Sequence, residues 1–300
     1  MKGPLYDIER DDLVREVTEA CRNLLRLGTA DFKEHRAVAL VASDLRKLFE
    51  GFRPYLPLIS ALRSPFLRPR HWTTILALKT PPLDVNPDLN QTLEDLLGEG
   101  IMSLVEEINE IGHFAAREKK LEEQVSAMRD EWKHIKFDLA PFKDTDTHLL
   151  HKPEPIWELL DEHIQKTLAI AASPYVKFLQ SEVNYWKQTL IRIQDVLEEW
   201  GKVQRGWLYL QPIFTSPDIQ AQLPQVTAVF AGVDKQWRNI MMGTLLSPLV
   251  LDACFQSRIM ETFWSCNDSL ERVEKGLADY LAQKRMAFPR FYFLPNDDLV

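Results

Sequence analysis

A long helical stripe of apolar residues dominates the second half of the chain. Between Val176 and Leu210, apolar residues recur at steps of three and four, which is the spacing of one buried face of an α-helix. The stripe includes Trp186, Trp200 and Trp207. Because aliphatic residues are favoured in the seam of a two-stranded coiled coil, these tryptophans favour packing against several shorter helices.

Residues with restricted backbones mark the two ends of this helix. Ser173 can accept a hydrogen bond as the N-cap, and Pro174 suits the first helical position. At the other end we expect Pro212 to stop the helix, because proline removes a backbone donor. Pro217 then starts a turn toward the next helix.

The same helical spacing occurs in most of the remaining chain. It predicts helices over 10–27, 31–49, 100–132, 225–242 and 256–286. The prolines at 54, 57, 65, 69, 81, 82 and 87 allow only short helices and turns between residues 51 and 90. The sequence therefore predicts a mainly all-α fold, an elongated stack of helical bundles with two long helices and a small inserted β-hairpin.

The hairpin is predicted by a change of period. Ile135, Phe137 and Leu139 alternate with polar residues, which is typical of a half-buried strand, and the turn is expected between Pro141 and Asp146.

The change of period also suggests a division of the chain. It separates an N-terminal helical part (1–138), a hairpin with a candidate hinge (139–173) and a C-terminal helical part (174–300).

Composition excludes several classes of function. The net charge is -8 and the basic residues are interspersed with acidic ones, so no nucleic-acid platform is expected. No apolar run is long enough for a membrane span, and residues 1–12 lack the apolar core of a signal peptide, so we expect a cytoplasmic protein without a membrane partner. Cys21, Cys254 and Cys266 form no CxxC pair and are expected to be buried thiols.

Motifs for catalysis are missing from this sequence. It contains no GxxxxGK[ST] phosphate loop and no GxSxG nucleophile turn, so we expect no catalytic residue and no cofactor in this chain. Asp144, Asp146, His148 and His151 offer metal-ligand atoms, but their spacing matches no closed ligand set and favours a polar hairpin turn. His163 is expected on a helix surface.

Two charged segments call for structural explanations. REKKLEEQVSAMRDEW (117–132) predicts a solvated helix face with intrahelical ion pairs, or alternatively a docking face for a charged partner. In the basic stretch RSPFLRPRHW, Arg63, Arg68 and Arg70 lie beside Trp72 and favour an anchor between helices over a nucleic-acid site.

The stretch GWLYLQPIFTSPDI (206–219) is interpreted as a joint between packed helices. Its candidate residues are Trp207, Tyr209, Pro212 and Phe214, together with Trp200. A ligand pocket is the alternative, but the polar side chains of the stretch are few, Asp218 and hydroxyl groups among them.

Five ordered motifs carry a resemblance that spans nearly the whole chain. They are LPLISALRSPFLRPRHWTTI, EKKLEEQVSAMRDEW with the IKFDLAPF hairpin, WGKVQRGWLYLQPIFTSPDIQAQLP, VDKQWRNIM and KGLADYLAQKRMAFPRFYFLPNDDL. In this order they resemble the linker region of dynein heavy chains, which precedes the first AAA+ module of the motor. The SPDIQAQLP segment is more similar to axonemal than to cytoplasmic dyneins.

The resemblance implies a mechanical role. The linker of that family is a lever arm that bends and straightens across the AAA+ ring during the ATP cycle and moves the motor along microtubules. It implies no catalytic residue here, with ATP and Mg bound in the ring outside this chain. The implied partners are that ring, microtubules through the whole motor, and dynein intermediate and light chains, in the axoneme of a cilium or flagellum.

Two sites of the arm are predicted. The hinge is expected within 139–173, at Pro141, Pro153 and Pro155, because strand-like and helical patterns meet there. Near the hairpin, Phe137, Phe142 and Lys143 are expected to contact the ring. The alternative function is a helical scaffold or adaptor that binds a partner through the aromatic patch FPRFYF (288–293).

Overall fold

Helices form almost all of the regular structure. The computed structural model describes residues 10–31, 35–79, 92–98, 100–143, 145–288, 290 and 293. The helices are α1 (Arg10–Arg26), α2 (Arg36–Phe52), α3 (Leu56–Leu62), α4 (Pro69–Leu76), α5 (Leu93–Gly98), α6 (Val105–Trp132), α7 (Glu154–Ala171), α8 (Gln180–Phe214), α9 (Pro217–Gln222), α10 (Pro224–Leu246), α11 (Val250–Cys254) and α12 (Ile259–Ala287). The strands are β1 (Asp138–Pro141) and β2 (His148–His151). The mainly all-α prediction with one hairpin is confirmed.

Short helical turns complete these elements. A π-helical turn, Leu27–Asp31, follows α1, and 3₁₀ turns cover Arg53–Tyr55, Ile101–Leu104 and Pro174–Val176. No helix in the described ranges is long and apolar enough to cross a membrane.

The chain packs as two units, Met1–Glu123 and Gln124–Val300. The boundary between them lies within α6. The last turns of α6 pack with the second unit, because Trp132 is buried and hydrogen-bonded to His163 of α7. The divisions expected from the sequence, at 138/139 and 173/174, stay a prediction.

The first unit has a core of aliphatic side chains. Its buried members are Leu58, Ile59, Ala61, Leu62, Ile75, Leu96, Ile101 and Ile108. The short helices predicted between 51 and 90 are present as α3 and α4, while residues 80–91 lie outside the described part. These short helices contribute to a common core with α5 and the start of α6.

A buried acidic group ties α4 to α6 within the first unit. Glu118 is 2% exposed and accepts hydrogen bonds from Arg70 and from the Nε2 atom of His71, the latter over 3.0 Å. His71 accepts the backbone N–H of Arg68 on its other ring nitrogen, at 3.0 Å. The Arg68 guanidinium hydrogen-bonds Glu122 and holds the pKa of that carboxyl below its usual range.

These contacts test the predictions made for the two charged segments. The basic stretch is an anchor between helices, as the sequence predicted. The solvated face predicted for 117–132 is correct for Lys119, which pairs with Glu122 and Glu123, and wrong for Glu118. Glu118 is buried because it occupies the position three residues after Ala115 on the buried face of α6.

The second unit is arranged around α8. The described contacts of α8 reach α7, α9, α10, α11 and α12, which is the packing against several helices that the tryptophans predicted. Its buried side chains are Val183, Trp186, Thr189, Leu190, Ile193, Val196, Leu197, Trp200, Val203, Trp207, Leu210 and Phe214.

Both predicted ends of this helix need correction. Ser173 does accept a hydrogen bond from the backbone N–H of Tyr175, but it caps the 3₁₀ turn Pro174–Val176, and α8 begins only at Gln180. Pro212 does not stop the helix, which ends at Phe214. A proline in the last turn removes one backbone hydrogen bond, and packing of the Phe214 ring on Phe230 at 5.2 Å favours the helical position of the following residues.

The hairpin has the predicted location and turn. Its strands are antiparallel with Leu139 opposite Leu150 and Pro141 opposite His148. The segment before β1 is also bonded to the start of α11 and the residues before it: the N–H of Phe137 donates to Pro248 O at 2.8 Å, and the N–H of Val250 donates to Ile135 O at 3.0 Å. Backbone hydrogen bonds therefore hold the start of the hairpin to the C-terminal part of the second unit.

The buried acidic group of the first unit gives a stability prediction. Glu118→Ala should lower the free energy of unfolding by about 3 kcal/mol, because Arg70 and His71 lose a buried charged acceptor. Chemical denaturation followed by circular dichroism measures this change. Glu123→Ala is the matched control on the same helix: its carboxyl is 63% exposed, so a change below about 0.5 kcal/mol is expected. Equal effects of the two substitutions would contradict the structural role of Glu118.

Candidate functional site

A row of aromatic rings joins α8 to its neighbours. Trp200, Trp207 and Phe214 are spaced by seven residues, so they lie on one face of the helix, and all three are buried. In the hairpin, Phe137 packs on Trp200 at 5.3 Å between ring centroids and Phe142 packs on Trp207 at 5.0 Å. We call these five residues the aromatic row.

The row continues into α10 and α12. Trp200 also contacts Phe263 of α12, and Trp207 stacks on Trp237 of α10 with 5.8 Å between centroids. Pairs of aromatic rings in such geometries contribute about 0.5–1.5 kcal/mol each beyond the area they bury. The hairpin and both C-terminal helices therefore share one aromatic core.

A side-chain amide of α8 binds the edge of the hairpin. The N–H of Leu150 donates to Gln204 Oε1 at 2.8 Å, and Gln204 Nε2 donates to Leu150 O at 3.1 Å. The amide satisfies both backbone groups of one β2 residue, as a neighbouring strand would. Gln204 thus fixes the hairpin in register against α8.

A polar chain links the hairpin turn to α10. Asp234 accepts hydrogen bonds from Trp207 Nε1 at 2.9 Å and from Arg238 Nε at 2.8 Å. Arg238 donates in turn to the buried hydroxyl of Thr147 at 2.6 Å. The carboxylate and guanidinium therefore orient each other and connect α8, α10 and the turn.

Together these contacts define a hairpin joint, consisting of the aromatic row, Gln204, Thr147, Leu150, Asp234 and Arg238. Apolar packing, backbone bonds and a charged pair hold the hairpin at three places. Such a joint resists deformation because close-packed rings and paired polar groups lose their contacts when they separate.

The cysteines and the candidate metal ligands are not members of the hairpin joint. Burial raises the pKa of the Cys254 thiol to about 12 and that of Cys266 to about 11, so both are protonated at neutral pH. Cys21 is only half-buried, in contrast to the prediction for all three thiols. Among the described residues no cluster of His, Cys, Asp or Glu could hold a metal ion, and Asp144 lies outside those residues.

The structure separates the residues predicted for the helix joint. Trp200, Trp207 and Phe214 lie in the core, whereas Tyr209 is 42% exposed and Pro212 is exposed on the last turn of α8.

The three hairpin residues predicted to contact a ring also differ in exposure. Phe137 and Phe142 are covered by their neighbours, and Lys143 is exposed. A contact with another surface therefore falls on Lys143 unless the hairpin moves.

The candidate hinge is largely regular structure. Pro141 ends β1, Pro153 precedes α7 and Pro155 lies in its first turn. The buried side chains of α7 include Ile156, Leu160, His163, Thr167 and Ile170, and the helix packs against α8. The location of a hinge here stays a prediction.

His163 is placed differently from the prediction. It is buried instead of lying on the helix surface, because it continues the stripe of Leu160 at a step of three.

Two of the surfaces with exposed aromatic side chains bear on partner binding. In the FPRFYF patch, Phe288 and Phe293 are exposed, and Pro289, Phe291 and Tyr292 lie outside the described residues. A second surface is an open groove of about 580 Å³ between α8 and α12, where Tyr185 and Trp264 are exposed.

Several residues of the joint have no signature in the sequence. Gln204, Asp234 and Arg238 are ordinary polar residues on helices, and their partners are 54, 27 and 91 residues away. The spacing of seven between the α8 rings was the one available signal.

Comparison with known proteins identifies the family. The family model "Dynein heavy chain, N-terminal region 2" matches residues 1–300. The chain therefore belongs to the dynein heavy chains, in this N-terminal region, and the resemblance found in its motifs is confirmed.

Similar curated proteins place it among axonemal members. It is 38% identical over 300 residues to human dynein axonemal heavy chain 1 and 34% identical over 300 residues to human dynein axonemal heavy chain 3. It is also 34% identical over 300 residues to mouse dynein axonemal heavy chain 12. All of this chain is covered in each case, and it spans 7%, 7% and 10% of those proteins. The axonemal assignment from SPDIQAQLP is confirmed.

The amide contact of Gln204 gives a prediction for the joint. Gln204→Leu should lower the free energy of unfolding of the second unit by about 2 kcal/mol, because the backbone N–H and C=O of Leu150 lose their hydrogen bonds. Hydrogen exchange of the β2 amides should accelerate accordingly. Gln188→Leu makes the same chemical change at an exposed position of α8 and should leave β2 exchange unchanged. Slow β2 exchange in both variants would rule out the proposed amide contact.

The aromatic row gives a second prediction. Phe142→Ala should lower the free energy of unfolding of the second unit by about 3 kcal/mol, because it leaves a cavity beside Trp207. Thermal unfolding measures the loss. Lys143→Ala, at the adjacent exposed position, removes only the contact of the ammonium group with the Phe142 ring and should change stability by no more than about 1 kcal/mol. A Phe142→Ala protein as stable as the Lys143 variant would show that the ring is not part of the core.

Proposed function

We propose that the chain is the linker, or lever arm, of an axonemal dynein heavy chain. In this role it bends and straightens across the AAA+ ring during the ATP cycle and thereby moves the motor along a microtubule. The observation that carries the proposal is the hairpin joint. It belongs to a chain whose ordered motifs resemble the dynein linker, and it fixes the hairpin to the helices on which force would act.

A lever arm must be stiffer than the hinge about which it moves. The tryptophans of α8 are at most 3% exposed, and the helix is surrounded by packed helices. Bending such a helix separates many close contacts at once, so its stiffness comes from its neighbours. This favours motion between packed bodies over motion within the core around α8.

The proposal assigns chemistry to other parts of the motor. ATP and Mg bind in the AAA+ ring of the same heavy chain, and this chain contributes no catalytic group. Its direct partner is that ring, and Lys143 is the candidate contact of the hairpin. Microtubules and the intermediate and light chains are partners of the whole motor, in the axoneme of a cilium or flagellum.

The lever role is testable by distance measurement in the full-length heavy chain. A donor dye on the exposed face of α8, introduced as Glu198→Cys, is paired with an acceptor on the ring. If the chain is a lever, energy transfer changes between the nucleotide-free and ATP-bound motor. The control carries both dyes within α8, at Glu198 and Gln188, and should show constant transfer.

The opposite result of this measurement would reject the proposal. A constant distance between α8 and the ring in all nucleotide states, in a motor that still hydrolyses ATP, would reject the lever role. A scaffold role would then be favoured, and it predicts saturable binding of a protein other than the ring to the exposed aromatic surfaces.

A further inference from the structure

A buried histidine holds the C-terminal end of α6. Trp132, the last residue of α6, donates from its indole Nε1 to His163 Nδ1 of α7 at 2.9 Å. The two side chains are 0% and 2% exposed. An indole nitrogen can only donate, so Nδ1 of His163 must be unprotonated in this contact.

The other ring nitrogen of His163, Nε2, carries the proton of the neutral imidazole. Because Nδ1 accepts the indole N–H, the single proton of the neutral imidazole is on Nε2. This nitrogen lies 3.6 Å from Glu131 Oε2. An imidazolium carries protons on both nitrogens and would oppose its Nδ1–H to the indole N–H. The contact with Trp132 therefore selects the neutral ring.

The charged surroundings of His163 have opposing effects. Burial lowers the pKa of His163, Glu131 of α6 raises it, Lys166 of α7 lowers it and Glu162 of α7 raises it. No charged group of α8 contributes among the described residues. Burial is the largest of these effects, so the closed contact takes up a proton less readily than an exposed histidine.

We propose that protonation of His163 releases the end of α6 from α7, so that this contact opens as the pH falls below about 6.5. The open form binds the proton at the ordinary histidine pKa, and the closed form binds it only at lower pH. The population of the open form therefore rises by up to tenfold per pH unit below about 6.5, until the closed form is itself protonated. Above that pH the contact has its full stability.

The position of the contact gives it a structural consequence. Residues 133–137 lead from Trp132 to β1, and Ile135 and Phe137 are bonded to the start of α11 and the residues before it. Opening at Trp132 would loosen the chain between Trp132 and Ile135, ahead of the hairpin joint, while Gln204 and the aromatic row remain in place. The inference concerns the second unit alone and stands whether or not the chain acts as a lever.

Hydrogen exchange of the 300-residue chain tests the proposal. Between about pH 7.5 and pH 5.5, after correction for intrinsic exchange, amides at the end of α6 and in α7 should lose protection by up to about tenfold. Peptides of α10 and α12 should change much less. Loss of protection throughout the second unit, or none at α6 and α7, would overturn the proposal.

Substitutions separate this histidine from general acid sensitivity. His163→Asn keeps an acceptor close to Trp132 without titrating, so the pH-dependent loss should disappear. His134→Asn, at an exposed position near the same end of α6, should behave like the unmodified chain. If both variants retain the loss, another group controls it and the proposal fails.

A third variant keeps the test valid if His163→Asn does not fold. Glu131 is 54% exposed and raises the pKa of His163, so Glu131→Gln should fold normally and extend the range over which the open form gains. The loss of protection should then continue to lower pH than in the unmodified chain. An unchanged pH profile in Glu131→Gln would contradict the assignment to His163.

Discussion

The burial of one face of α8 is the interaction on which the second unit depends. Trp186, Trp200 and Trp207 are almost fully buried on it, and α7, α10, α11 and α12 cover it. Burying a large apolar side chain contributes about 1.5–3 kcal/mol, so these rings outweigh any exposed ion pair of the unit. The hairpin is held by the same face, since Phe137 and Phe142 pack on two of its tryptophans.

Apolar periodicity was sufficient to predict most of the long helices and the hairpin, but it predicted no helix over the residues of α7. The stripe of α8 and the alternation before Pro141 are strong signals because one face of each element is buried. Polar residues on a buried face weaken the signal. In α7, His163 and Thr167 occupy stripe positions, and in α6 Glu118 does so, which is where the predictions failed. Each of these buried groups forms a hydrogen bond, and periodicity cannot identify its partner.

The joint was only partly predictable for a related reason. The spacing of Trp200, Trp207 and Phe214 places three rings on one face before any fold is known. Gln204 and Arg238 acquire their roles from residues far away in sequence, and common polar residues on helix surfaces carry no mark of such a partner. Resemblance to the dynein linker added the expected role, which the residues of the joint do not reveal by themselves.

The edges of the two-stranded sheet are partly protected against aggregation. A free strand edge presents unpaired amides and carbonyls that can recruit a strand from another molecule and begin aggregation. On β2 the outward backbone groups of Leu150 are occupied by Gln204, and on β1 the outward position opposite His148 is Pro141, which has no N–H to offer. Strand addition is therefore blocked at Leu150 on the β2 edge, and Pro141 removes one donor from the β1 edge.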